Sequence, residues 1–67
     1  MSIFCGNCIM QKRKELGYTQ EELADKVGIS QKTVSKFENG LEEPKITTLA
    51  VIADALKCEI TDLIEAS

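Results

Sequence analysis

The sequence contains no histidine and no tryptophan. Without histidine the commonest general base is missing, and with it the Ser-His-Asp arrangement and the usual metal ligand. No glycine-rich loop able to cradle a phosphate is present. Apolar runs are short. The longest, Leu49 to Ala53, falls far below the roughly 20 residues a membrane-crossing helix needs. The first residues, MSIFCGNC, lack a basic start followed by an apolar stretch, so no secretory signal is read and a cytoplasmic chain is expected. Only three residues are aromatic, Phe4, Tyr18 and Phe37, and one proline with four glycines fits a helical protein better than a turn-rich sandwich.

Cysteine is also sparse. Three cysteines are an odd number for a disulfide framework, which agrees with a reducing compartment. Cys5 and Cys8 form a CxxC, but a structural zinc site wants four ligands and only Cys58 remains. The pair lies ahead of a helix at the N-terminus, not in the strand-to-helix setting of a redox dithiol. Cys5 and Cys58 are therefore read as small buried hydrophobes and Cys8 as incidental. A metal or redox sensor built on Cys5 and Cys8 is the alternative.

What is present is a small, foldable chain. Its 67 residues are 43% hydrophobic, enough for one core and one domain over residues 1–67. A domain this size buries only about 60% of its unfolded surface, which leaves little for a deep catalytic cleft. The adjacent carboxylates Glu21-Glu22 and Glu42-Glu43 read as solvated surface. The expectation is a protein that is not an enzyme and needs no cofactor, metal or small-molecule ligand.

Helical spacing and stop signals divide the chain into five short helices. Ile9, Lys12, Arg13 and Leu16 recur at i, i+3, i+4, i+7, so residues near 6–16 read as helix 1, ended by Gly17. Thr19-Gln20-Glu21-Glu22 is a capping box that opens helix 2, which runs to about Val27 with Leu23, Ala24 and Val27 inward. Gly28-Ile29-Ser30 is a three-residue break. Ser30 caps helix 3, Gln31 to about Glu38, and Asn39-Gly40 ends it. A Pro44-containing loop follows. Ile46, Leu49, Ile52, Ala53 and Leu56 make the stripe of helix 4, and Ile60, Leu63 and Ile64 a last short helix. Two eight-residue helices joined by three residues have the dimensions of a helix-turn-helix.

Helix 3 separates into two faces. Val34 and Phe37, with Leu41 beyond, point toward a core. Gln31, Lys32, Ser35, Lys36 and Asn39 share the other face. From Gly28 to Phe37 there are two lysines and no acid. Such side chains suit base edges: glutamine pairs bidentately with adenine, lysine donates to guanine, serine serves either. An ordinary solvated helix face is the alternative. The net charge of −3 and pI of about 4.8 are unlike a typical nucleic-acid domain. The acid is uneven, however. Residues 1–40 hold six basic and five acidic side chains; residues 41–67 hold two and six. Fields act locally, within about 8 Å at physiological salt, so a cationic face can coexist with a negative total.

The stretch Lys12 to Leu63 resembles the phage repressor and Cro-type helix-turn-helix family. The T-Q-E-E-L-A run, the G-I-S turn, the E-N-G end of helix 3 and the P-x-I-x-T-L start of helix 4 fall in family order without gaps. The resemblance implies an all-α, five-helix lambda repressor-like domain. It also implies a cytoplasmic transcription regulator, most simply a repressor, that binds double-stranded DNA as a homodimer on a palindromic operator. It assigns base reading to Ser30, Gln31, Lys32 and Lys36, and phosphate contacts to Gln20 and Asn39. Arg13 and Glu38 match a structural ion pair between helices 1 and 3; both lie on otherwise apolar stripes, where a charge needs a partner.

Three positions depart from the family. Leu41-Glu42-Glu43 stands where basic residues are frequent, removing phosphate contacts and adding repulsion. Lys45 replaces a small cap of helix 4, giving up the cap and gaining a cation able to meet phosphate. Glu59 replaces a small cap before helix 5. The acidic loop favours a different class, a protein-interaction or antitoxin-like module on the same fold with weak DNA binding. The apolar C-terminal residues Ile60, Leu63 and Ile64 are candidates for a dimer patch.

Overall fold

Local capping chemistry sets the helix boundaries. In the computed structural model, which describes residues 4–64, the chain forms α1 (Gly6–Glu15), α2 (Gln20–Val27), α3 (Gln31–Glu38) and α4 (Ile46–Ala55). A 3-10 turn, Ile60–Leu63, follows. The Thr19 hydroxyl accepts the Glu22 N–H at 3.0 Å, and the Glu22 carboxylate accepts the Thr19 N–H at 2.8 Å. Ser30 Oγ accepts the Thr33 N–H at 3.1 Å. Caps of this kind contribute about 1 kcal/mol each. Lys45, by contrast, makes no side-chain cap for α4.

Two helix ends solve one problem in different ways. After α3, Gly40 takes φ 73°, and the N–H groups of Leu41 and Gly40 donate back to the Lys36 and Phe37 carbonyls. After α4 the same pair of bonds forms, Cys58 to Ala53 and Lys57 to Asp54, but the left-handed residue is Lys57 at φ 57°. A side chain there costs energy that glycine avoids.

The core takes side chains from every element: Ile9 from α1, Leu23 and Ala24 from α2, Val34 and Phe37 from α3, Leu49, Ile52 and Ala53 from α4, then Leu56 and Leu63. Residues as fully buried as Ile52, Leu56 and Leu63 are each worth about 1.5–3 kcal/mol relative to exposure. α2 and α3, with Gly28-Ile29-Ser30 between them, are locked to this core by α1 on one side and α4 on the other.

Several expectations are corrected. The fifth segment is a 3-10 turn, not an α-helix, so the described residues hold four α-helices. Four residues are one turn, and at that length the two helix types bury the same side chains. Leu41 is 76% exposed and does not extend the Val34–Phe37 face, because Gly40 turns the chain out of the helical path just before it. Ile46 is 66% exposed; as the first residue of α4 it overhangs the end of the core. Cys5 and Cys8 are joined by a disulfide, with Cα atoms 5.2 Å apart. Cys5 in extended conformation before the helix, and Cys8 one turn on, bring the two sulfurs to the same side. Cys58 is free and half-buried, not fully buried.

Candidate nucleic-acid interface

α3 is held by its apolar side. Val34 and Phe37 are 2% and 4% exposed and fix the helix in rotation. The other side is thereby turned outward: Gln31, Lys32, Lys36 and Asn39 are exposed, and Ser35 is half-buried. No described hydrogen bond or ion pair engages the side chains of Gln31, Lys32 or Lys36, so their donors are available to an incoming ligand. Asn39 Nδ2 donates to Ser35 Oγ at 3.3 Å, a long bond along the same helix face. Ser30, at the head of the helix, has its hydroxyl occupied by the Thr33 N–H and by Thr33 Oγ1 at 2.8 Å. Its oxygen fixes the start of α3 as much as it faces outward.

Behind this face lies a buried polar cluster. Arg13 Nε donates to Glu38 Oε2 at 2.7 Å and Arg13 Nη2 to Glu38 Oε1 at 3.1 Å, a bidentate pair between α1 and α3. The two side chains are 10% and 2% exposed. Arg13 Nη1 also donates to the Tyr18 carbonyl at 2.8 Å. Gln20 Nε2, at the start of α2, donates to Glu38 Oε1 at 3.0 Å. The structure thus brings Arg13, Gln20 and Glu38 into one network joining α1, α2 and α3. Family resemblance pairs Arg13 with Glu38; the Tyr18 and Gln20 contacts have no sequence signal, since neither spacing nor residue type announces them.

The cluster also shapes the field. Glu38 belongs to α3, yet its charge is enclosed and met by Arg13. It therefore subtracts little from Lys32 and Lys36 at the surface. The exposed acids nearest in sequence, Glu42 and Glu43, come after the helix. Lys45 is exposed at the head of α4.

Leu63 is fully buried, while Ile60 and Ile64 are half-buried and line a cleft of about 220 Å³ with Phe4, Pro44, Ile46 and Leu49. Among the described residues no group of three or more acids and cysteines is placed to hold a metal ion. No described helix is long and apolar enough to cross a membrane.

A family model described as helix-turn-helix matches residues 9–63. Antitoxin HipB of Escherichia coli O6:H1 (strain CFT073) is 40% identical over 55 residues, which cover 82% of this chain and 58% of that protein. The cryptic phage CTXphi transcriptional repressor RstR of Vibrio cholerae is 38% identical over 55 residues, covering 82% of this chain and 49% of RstR. The chain therefore spans about half to three-fifths of the length of these relatives. Among solved structures, SinR, a master regulator for biofilm formation crystallised in complex with DNA, superposes with a TM-score of 0.79 at 34% identity. That match covers 85% of this chain and 95% of the SinR chain in that crystal.

Proposed function

We propose that this chain, which belongs to the helix-turn-helix family of transcriptional regulators, binds DNA sequence-specifically and acts as a homodimeric repressor on a palindromic operator. The observation that carries the reading is the outward face of α3: Gln31, Lys32 and Lys36 exposed, unengaged and free of acid, on a helix whose rotation is fixed by Val34 and Phe37. In this reading α3 lies in the major groove, where Gln31, Lys32 and Lys36 meet base edges and Ser30 sits at the leading end. Gln20, Asn39 and Lys45 meet phosphates and set the register. Gln20 would do so from a side chain already oriented by Glu38.

One module covers only about 600–1,000 Å² on DNA, too little for tight binding alone, so a second copy is needed. The apolar cleft between Ile46, Ile60 and Ile64 is the candidate patch for it. The cytoplasm is the compartment where such a regulator would work. Selection of bound sequences from a random duplex pool at moderate salt tests the reading. Enrichment of a two-fold symmetric site is expected, and the absence of any preferred sequence at every salt concentration would refute it.

A second reading is supported by the HipB relationship and by the exposed Leu41-Glu42-Glu43 loop: a protein-docking, antitoxin-like module in which DNA binding is weak and the loop meets a partner. The two readings predict opposite consequences for reversing the charge of that loop.

A further inference from the structure

The Cys5–Cys8 bridge has no part in the DNA-facing side of the molecule. It lies where α1 begins, against the far end of α3. Cys5 is the N-cap of α1 and is 8% exposed; Cys8 is half-buried. Between them, Gly6 packs so closely on α3 that a methyl group there would run into the Phe37 carbonyl oxygen. The Cys5 N–H donates to the Leu63 carbonyl at 2.9 Å. The Phe4 ring meets Phe37 edge-on, with centroids 6.4 Å apart. The bridged turn is thus a clasp between the head of α1, the tail of α3 and the closing 3-10 turn.

We propose that this disulfide is a reversible thiol–disulfide exchange site, opened at Cys8 by a small thiol, whose state sets how firmly the clasp holds the end of α3. Two features distinguish it from a structural staple. A bridge spanning one helical turn closes a minimal loop, and loop closure stabilises least when the loop is shortest. The two sulfurs are also unequal. Cys8 is the more accessible. Cys5 Sγ receives the Cys8 N–H at 3.1 Å and lies at the positive end of a ten-residue helix, so charge on a departing Cys5 sulfur is stabilised.

The chemistry balances with two equivalents of a thiol such as glutathione. The first thiolate attacks Cys8 Sγ and forms a mixed disulfide; the sulfur–sulfur bond breaks and its electron pair leaves on Cys5. A second thiolate attacks the glutathione sulfur of that mixed disulfide and releases Cys8. The protein is reduced by two electrons, the thiol is oxidised to its disulfide, and the two protons of the thiols end on Cys5 and Cys8. Excess oxidised glutathione drives the sequence backward.

The test uses the full chain in a Cys58→Ser background, so that no third thiol competes. Intact mass should show the bridge opening in reduced glutathione and reforming in oxidised glutathione. When reduction is quenched with acid part-way, peptide mass spectra should place the mixed glutathione disulfide on Cys8 at least tenfold more often than on Cys5. On reduction, amide hydrogen exchange at Cys5, Gly40 and Leu41 should quicken several-fold while α2 stays unchanged. A bridge that fails to reform, glutathione trapped equally on both cysteines or mainly on Cys5, or exchange at Gly40 and Leu41 indifferent to redox state would each overturn the proposal. None of these readouts requires DNA, so the exchange site and the operator-binding reading fail separately.

Discussion

Replacing Arg13 by methionine isolates the cost of an enclosed charge. Glu38 would keep its position on α3, 2% exposed, but would lose both guanidinium donors and retain only the Gln20 amide. Breaking one side of a buried pair typically costs about 3–5 kcal/mol. At about 0.05–0.15 kcal/mol per residue, a chain of this length has only about 3–10 kcal/mol to lose. The melting temperature should therefore fall by roughly 12–40 °C, taking about 4–8 °C per kcal/mol for a domain of this size, and the variant should be partly unfolded at room temperature. Glu38→Leu should be of similar severity, since it strands Arg13. The double variant, Arg13→Met with Glu38→Leu, leaves only the Tyr18 carbonyl without its donor and the half-buried Gln20 amide without its acceptor. Those groups have water within reach, and the residual loss should be under about 2 kcal/mol. Thermal and urea melts of the four proteins give the coupling. If the double variant loses as much as the two singles together, the pair does not act as a unit and the reasoning is wrong.

Gln31→Ala and Lys36→Ala should each weaken binding to a selected operator by about 1–3 kcal/mol and relax preference at one base pair. Gln20→Ala should weaken all duplexes alike; identical profiles for the three variants across single-base site changes would contradict these roles. Changing Glu42 and Glu43 to lysine should tighten binding to every duplex and steepen the log–log salt dependence by up to about 1.8, whereas a protein-docking loop would show loss of its partner instead. Lys57→Gly should raise stability by about 1 kcal/mol in urea melts by relieving the left-handed backbone after α4; a loss would show that the lysine side chain matters more than the backbone. Burial, then the nearby Asp62, hold the Cys58 thiol above its ordinary 9.0, with Glu59 adding and Lys12 opposing. Because the folded form holds this proton more tightly, the associated stability is intact at neutral pH, starts to fall near 9.0 where the unfolded thiol ionises, and is fully lost once pH has risen through the raised value. The alkylation rate of Cys58 should accordingly have its midpoint above 9.0, and a midpoint at or below it would refute the assignment.

What sequence alone reveals here follows the range of the forces involved. The starts of α2 and α3 are written in three or four consecutive residues, Thr19 to Glu22 and Ser30 to Thr33, because a cap is a bond between near neighbours. The two faces of α3 are legible for the same reason: periodicity is local. Leu41 and Ile46 are misread because both belong by spacing to apolar stripes, and only the three-dimensional edge of the core leaves them exposed. The Gln20–Glu38 bond spans 18 positions and depends on how α2 lies against α3. The disulfide is hidden by an odd cysteine count, which argues about frameworks and says nothing of a single turn. The outward residues of α3 are legible as a surface, while their partners follow from chemistry and kinship.

The backbone bridge between Phe4 and Ile64, together with the bond from the Cys5 N–H to the Leu63 carbonyl, brings the two ends of the described chain side by side. In backbone terms the fold is almost a ring. Phe4 rests on Phe37, on the side of α3 opposite Gln31, Lys32 and Lys36. Any polypeptide joined before Phe4 or after Ile64 therefore leaves from one shared corner, away from the outward face of α3. The unit is suited to being spliced into or strung along longer chains, because one point of attachment serves both ends.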